Sequence, residues 1–230
     1  MMFERKNVIQ WTEHPGSGVT RRGLAGICAG GLMALAIGKV ALAHSLDDVE
    51  KMLRDREFFL QVVNQPAPAF TLQDAAGRSV SLADFRGRVV VLYFIYTHCP
   101  DECPLQSEKL AEIQKAINAT PMRNLVQFIA VTTDPDRDTP AVLNAYGPLH
   151  GLDLANWVFL TSGTGRPSAT RELAERYGLK FTPADDGLQM HGIVTHLIDK
   201  SGNLRARYHG LKFNSTNFII HLNALTNDYH

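Results

Sequence analysis

Cysteine is scarce in this chain, with three residues in 230. So few thiols exclude a disulfide framework, and at this length a hydrophobic core of ordinary size makes one unnecessary. Neither sign of charge is in excess, since lysine plus arginine and aspartate plus glutamate each number 23. The basic surplus that marks a nucleic-acid binder is therefore missing. Internal repeats and low-complexity tracts are missing too, which leaves one domain as the simplest organisation. What is present, 45% hydrophobic and 20% charged residues, is the composition of a soluble globular domain.

The first 43 residues read as an address. Arg21 and Arg22 precede a weakly hydrophobic, glycine-rich run from Ile27 to Ala43, interrupted by Lys39 and closed by Ala41-Leu42-Ala43. Paired arginines before such a run resemble a twin-arginine export signal, and the small-x-small ending suits a signal peptidase. The alternative is an uncleaved anchor, since 23–43 is about long enough to cross a bilayer and would then be the membrane contact. Positive charge ahead of the run puts the remainder outside the cytoplasm in either case. The expected location is the periplasm, with attachment to the inner membrane if the run is retained. Cys28 sits inside the run after Ile27, the wrong context for a lipidated cysteine, and reads as apolar filler.

Residues 44–64 have helix-like apolar spacing at Val49, Met52, Leu53, Phe58, Phe59 and Val62, which predicts an amphipathic linker helix. The folded domain is expected over 65–230. It opens with a hairpin, Phe70-Thr71-Leu72 and Ser79-Val80-Ser81-Leu82 around a polar turn. Val89 to Tyr96 is apolar without alternation, the mark of a strand buried on both faces. A helical pattern begins at Leu105. Val126–Thr132 is a second buried strand, and Trp157–Leu160 a third. Thr139 reads as a helix N-cap before Pro140. Ser168–Tyr177 is helical and stopped by Gly178. Ile193–Ile198 and Leu204–Tyr208 form a hairpin turning at Lys200–Asn203, before a terminal helix over 216–225. This order is that of an α/β, thioredoxin-like fold with an N-terminal β-hairpin extension and a central mixed sheet flanked by helices.

Between the first buried strand and its helix stands Thr97-His98-Cys99-Pro100-Asp101-Glu102-Cys103-Pro104. Ligands of α/β sheets bind beyond the carboxyl ends of strands. Thiols four residues apart on a helical turn share one face, close enough for a soft metal ion or, with a small adjustment, a disulfide. Thiolates and imidazole favour Cu(I), Cu(II) or zinc. The helix amino terminus lowers the pKa of Cys99, whereas Asp101 and Glu102 oppose it, so metal capture is expected to dominate over fast disulfide exchange. Pro100 fits the first helical position, and Pro104 is expected to kink or restart the helix. A plain stabilising disulfide is the structural alternative, although so short a loop constrains the unfolded chain little.

The run Tyr-Thr-His-Cys-Pro-Asp-Glu-Cys-Pro, followed by Val131-Thr132-Thr133-Asp134-Pro135-Asp136-Arg137-Asp138-Thr139, resembles the two linked signatures of the Sco/SenC family. These are copper proteins of cytochrome oxidase assembly, and the likeness runs from about Pro68 to the carboxyl terminus. It implies copper held by Cys99, Cys103 and a histidine six residues before the Leu-Ile pair of the fourth core strand. That pair is Leu197-Ile198, which selects His191. The loop leading into this strand lies beside the redox helix in thioredoxin-like folds. His196 reads as packing or hydrogen bonding, Met190 as core, and His98 as adjacent to the site but directed away from the metal. Asp134 invites a reading as loop and cap chemistry. The resemblance adds a role behind the copper ligands or at a partner surface. The slot where thioredoxin-like oxidoreductases carry a cis-proline reads Gly192-Ile193-Val194 here, which favours copper over general disulfide exchange. Lys200-Ser201 departs from the family at a turn remote from the ligands.

Three functions remain in view. By resemblance, the first is a metallochaperone that loads the binuclear copper centre of a respiratory oxidase. Its partners would be the copper-bearing subunit, with other periplasmic copper chaperones or thiol reductants. The second is a thiol-disulfide oxidoreductase that uses Cys99 and Cys103 as a redox-active pair to keep target cysteines reduced. The third, a thiol peroxidase or redox sensor, requires a Cys99 pKa well below neutrality.

Overall fold

The computed structural model describes residues 45–163, 165–183 and 189–228, with the backbone alone at 183 and 189–191. The chain divides into Met1–Ala41 and Leu42–His230, and everything described belongs to the second unit. The leader over 1–43, with Arg21, Arg22 and Cys28, lies outside the described residues.

Helix α1 spans Leu46–Arg56. Ser45 caps it by accepting the Asp48 N–H at 3.2 Å, with Asp47 and Asp48 in its first turn and Arg54 and Arg56 in its last, as the helix dipole favours. The helical reading of 44–64 fails beyond Arg56, because Leu60–Pro66 forms strand β1 and pairs antiparallel with a late strand. Val62 and Val63 suit a pleated surface, and pairing with that strand overrides the apolar spacing that had extended the helix.

Strands β2 (Thr71–Asp74) and β3 (Ser79–Ser81) form the expected hairpin. Gly77 takes φ 77° in its turn, a conformation that glycine supplies without steric cost. Next come β4 (Val89–Ile95), α2 (Glu102–Asn118), β5 (Val126–Thr132), α3 (Pro140–Leu149) and β6 (Trp157–Thr161). Helix α4 (Ser168–Arg176) leads into a small hairpin, β7 (Phe181–Pro183) with β8 (Gln189–His191), which the sequence pattern did not reveal. The chain ends with β9 (Val194–Ile198), β10 (Asn203–His209) and α5 (Ser215–Asn227).

The large sheet has eight strands in the order β1-β10-β9-β4-β5-β6-β2-β3. Strands β4, β5 and β6 run parallel, while β9 lies antiparallel to β4. Every residue of β4 and β5 is buried. Alternate side chains of β4 feed two separate cores. Val89, Val91, Tyr93 and Ile95 pack with Leu110, Ile113 and Ile117 of α2, Leu143 of α3, and Phe218 and Leu222 of α5. Val90, Leu92 and Phe94 pack on the other face with Leu173 and Tyr177 at α4 and with Leu82 and Phe85. A strand covered on both faces needs no polar alternation, which is why its sequence is an unbroken apolar run. The fold is mixed α/β with helices on both faces of the sheet, as the element order implied. Among the described residues, no helix is long and apolar enough to cross a membrane.

Candidate metal and thiol centre

The chain leaves β4 at Ile95 and turns once, with the Cys99 N–H donating to the Tyr96 carbonyl at 3.2 Å. Helix α2 then begins at Glu102, earlier than its apolar periodicity indicated, so Cys103 falls in its first turn. Pro100 consequently lies ahead of the helix rather than at its first position. Pro104 occupies the first turn, where the missing N–H has no intrahelical partner to lose, and it produces no break. Cys99 is half-buried and Cys103 fully buried, and both are free thiols.

The Cys103 thiol donates to the Cys99 sulfur, and this hydrogen bond is the largest influence on both groups. Partial burial opposes ionisation of Cys99, but the backbone N–H groups of Asp101 and Cys103 assist it, and its pKa falls to about 5. Cys103 moves upward for the complementary reason: its proton serves Cys99, burial disfavours its thiolate, and the Glu102 charge opposes it. The sequence reading assigned the acidic pair an opposing effect on Cys99. In the structure the Glu102 charge acts on Cys103, and the donors around Cys99 prevail. Cys99 is thus an accessible thiolate at neutral pH, which meets the condition set above for a thiol peroxidase or redox sensor.

Beneath Cys103 lies a buried polar chain. Trp157 Nε1 donates to the Tyr93 hydroxyl at 3.0 Å, and Ser107 Oγ is 3.1 Å from the Tyr146 hydroxyl. Ser107 also bonds Tyr93, and burial holds both tyrosines in the neutral phenol form by raising their pKa. The floor of the site is therefore neutral and hydrogen-bonded, so no second charge competes with the Cys99 thiolate from below.

His191 is the last residue of β8, and its backbone pairs with Phe181. Strand β9 starts close behind it and runs antiparallel to β4, with Thr195 opposite Tyr93. Chain direction therefore carries His191 towards the carboxyl end of β4, the end from which Cys99 departs. The side chains of His191 and Met190 lie outside the described residues. Among the described residues, no three histidine, cysteine, aspartate or glutamate side chains form a metal-ready group. The thiol pair fits a soft cation, and an imidazole would have to complete the set.

His196, by contrast, is a structural residue. It is fully buried, its Nδ1 lies 3.3 Å from the Leu92 carbonyl, and its Nε2 lies 3.2 Å from the Tyr177 carbonyl. Asp134 directs its carboxylate to Arg137 Nε, while its backbone N–H donates to Thr132 Oγ1 at 2.9 Å. Asp138 is the loop carboxylate that reaches the cysteine segment. It accepts the Thr97 N–H, and its Oδ1 lies 3.7 Å from His98 Nδ1. The half-exposed His98 ring also has Nδ1 3.2 Å from Thr97 Oγ1. Sequence reasoning stopped at the first aspartate of this run. The signal for Asp138 was its place just before the Thr139 cap, where a carboxylate faces back across the loop.

A thioredoxin-like sheet with a thiol pair at the end of its central strand defines a class of redox and metal-binding proteins. Within that class, the chain belongs to the SCO1/SenC family, whose model matches residues 61–227. It is 34% identical over 183 residues to the human "Protein SCO2 homolog, mitochondrial", covering 78% of this chain and 67% of that protein. A bovine protein of the same description is 47% identical over 77 residues, which are 34% of this chain and 29% of the bovine protein. Among solved structures, Bradyrhizobium japonicum ScoI with copper bound is 27% identical at a TM-score of 0.57, covering 70% of this chain and 99% of that one. A SCO1/SenC family lipoprotein from Bacillus anthracis shares the fold at a TM-score of 0.65 and 24% identity, covering 73% of this chain and 98% of that one.

Proposed function

We propose that this protein is a copper-binding metallochaperone in which Cys99 and Cys103 bind as thiolates and His191 supplies the third ligand. The observation that carries the reading is the hydrogen-bonded Cys99–Cys103 pair at the carboxyl end of β4. A thiolate already formed at neutral pH lowers the proton cost of metal capture, and the Cys103 proton leaves when the ion arrives. The copper-bound Bradyrhizobium relative and the family signatures support copper over zinc. The client would be the copper-bearing subunit of a respiratory oxidase, in keeping with the family's role in assembly. Residues 1–43 would export the chain to the periplasm or anchor it at the inner membrane, and 65–230 would carry the activity. Asp134 would act on the site through the loop it shares with Arg137 and Asp138.

The experiment is copper titration of the reduced full-length chain. Wild type should take up one Cu(II) with a thiolate charge-transfer band, and His191→Ala should weaken binding and move the band. Unchanged affinity and spectrum in His191→Ala would remove this histidine from the site. The low pKa of Cys99 also favours a second reading, a thiol-disulfide oxidoreductase acting on target cysteines. Reductase activity that survives His191→Ala and vanishes in Cys99→Ser would support it.

A further inference from the structure

We infer that Asp138 is a positioning residue for Cys99, a buried carboxylate that ties the end of β4 to the end of β5 and fixes the backbone carrying the thiol. This inference rests on the thiol pair being the working site. Asp138 is 1% exposed. Both its oxygens lie 3.3 Å from the Thr97 N–H, and the hydroxyls of Thr97 and Thr132 donate to Oδ1 and Oδ2 respectively. Thr97 follows β4, and Thr132 is the last residue of β5, so one side chain joins the two strand ends.

The carboxylate is not needed to close its own loop. Asp134 does that, because its carbonyl accepts the N–H groups of Arg137 at 3.2 Å and Asp138 at 3.0 Å. A buried carboxylate is costly unless its oxygens are filled, and here three donors from the strand ends fill them. Two residues past Thr97, the Cys99 N–H is fixed on the Tyr96 carbonyl. Tyr96 and Thr97 therefore hold the root of Cys99 from consecutive positions, and Asp138 holds Thr97. A looser root would let the Cys99 sulfur sample positions away from the Cys103 thiol.

The test compares Asp138→Asn, Thr97→Val and Thr132→Val with wild type in the full-length chain, with Gln114→Leu as a control. Gln114 is buried in the last turns of α2, bonded to Asp153 and Asn156, remote from the thiols. Two readouts are taken. The first is the equilibrium with glutathione, in which two protein thiols and one oxidised glutathione give one protein disulfide and two reduced glutathiones. The second is amide exchange at Thr97 and His98. Asp138→Asn should lower the disulfide equilibrium constant about tenfold and speed both exchanges, because the effective concentration of one thiol near the other falls. The two valine variants should do the same to a smaller extent, and they carry the test if the asparagine variant does not fold. Gln114→Leu should lower stability and leave both readouts within about twofold of wild type. Equal values in Asp138→Asn and wild type, or an equal shift in Gln114→Leu, would overturn the inference. A wild type that binds no copper while Asp138→Asn still shifts the disulfide equilibrium would refute the metallochaperone reading and leave the positioning role standing.

Discussion

The carbonyl of Tyr177, just past α4, lies 3.2 Å from His196 Nε2 and receives the Arg207 Nε–H at 3.3 Å. Two groups from adjacent strands thus converge on the carboxyl end of one helix, where the dipole favours donors and cations. The chain continues from this point into β7 and β8, so the anchor sits at the root of the hairpin that ends in His191.

A pH dependence follows from this burial. Desolvation lowers the pKa of His196 to about 4, and the two carbonyls offset that only in part. The unfolded chain then binds a proton that the folded chain refuses, so stability falls with falling pH between about 6.5 and about 4. The full effect is roughly 3 kcal/mol. Urea unfolding at a series of pH values should show this slope in wild type. His196→Gln, which can donate a hydrogen bond but does not titrate, should lose the component; identical pH slopes in the two proteins would exclude His196 as its source.

The thiol pair predicts asymmetric reactivity. Alkylation of the reduced protein should occur at Cys99 with a midpoint near pH 5, while Cys103 stays protected by burial. Removing the donor in Cys103→Ala should shift the Cys99 midpoint upward, towards the ordinary thiol value of about 8.5. Cys103→Ser keeps a donor and should shift it less. Mass spectrometry of alkylated peptides across pH reports both residues at once. A midpoint in Cys103→Ala equal to that of wild type would assign the low value to the backbone N–H groups and the Tyr96 hydroxyl.

Much of this fold was written in local patterns. The buried strands β4 and β5 appear as apolar runs because they are covered on both faces, and Val126–Thr132 matches the strand end to end. The α4 stop was legible because Gly178 adopts φ 97°. Strand β1 was not, since its pairing with β10 is contact across the fold and its apolar spacing also fits a helix. Hairpin β7–β8 is too short for any periodicity to register. At the site, the cysteines and the aspartate-rich run were visible as residues. Which carboxylate meets Thr97, and which thiol gives up its proton, depends on how β4, β5 and α2 converge.

Metal selectivity should follow donor softness. Calcium and magnesium need several hard oxygen ligands, and Asp134 is occupied by Arg137 while Asp138 is filled by Thr97 and Thr132. Neither hard cation should change the melting temperature at millimolar concentration, whereas one equivalent of copper should raise it and a copper chelator should restore the original value. Scanning calorimetry with each ion separates the cases. Stabilisation by calcium but not copper would move the metal from the thiols to the loop.

A close helix–strand contact lies in the core that also holds Cys103. Gly147 is buried in α3 against the ring of Trp157, and a Cβ built there falls 2.3 Å from ring carbon Cζ3. The ring cannot retreat freely, because its Nε1 is held by the Tyr93 hydroxyl and its face is bordered by Phe159 at 5.7 Å between centroids. Gly147→Ala therefore gains in helix propensity and loses more to overpacking, by about 1–3 kcal/mol. Relief requires α3 to move outward or Trp157 to break its bond to Tyr93. Trp157→Phe removes the bond, leaving Tyr93 with Ser107 as a partner, and also removes the ring atoms that meet the methyl. The double variant Gly147→Ala/Trp157→Phe should therefore be less destabilised than the sum of the two single substitutions, whichever way the single variant relaxes. Urea denaturation of the four proteins measures this coupling, and stability of Gly147→Ala equal to or above wild type would show that this contact is not close-packed.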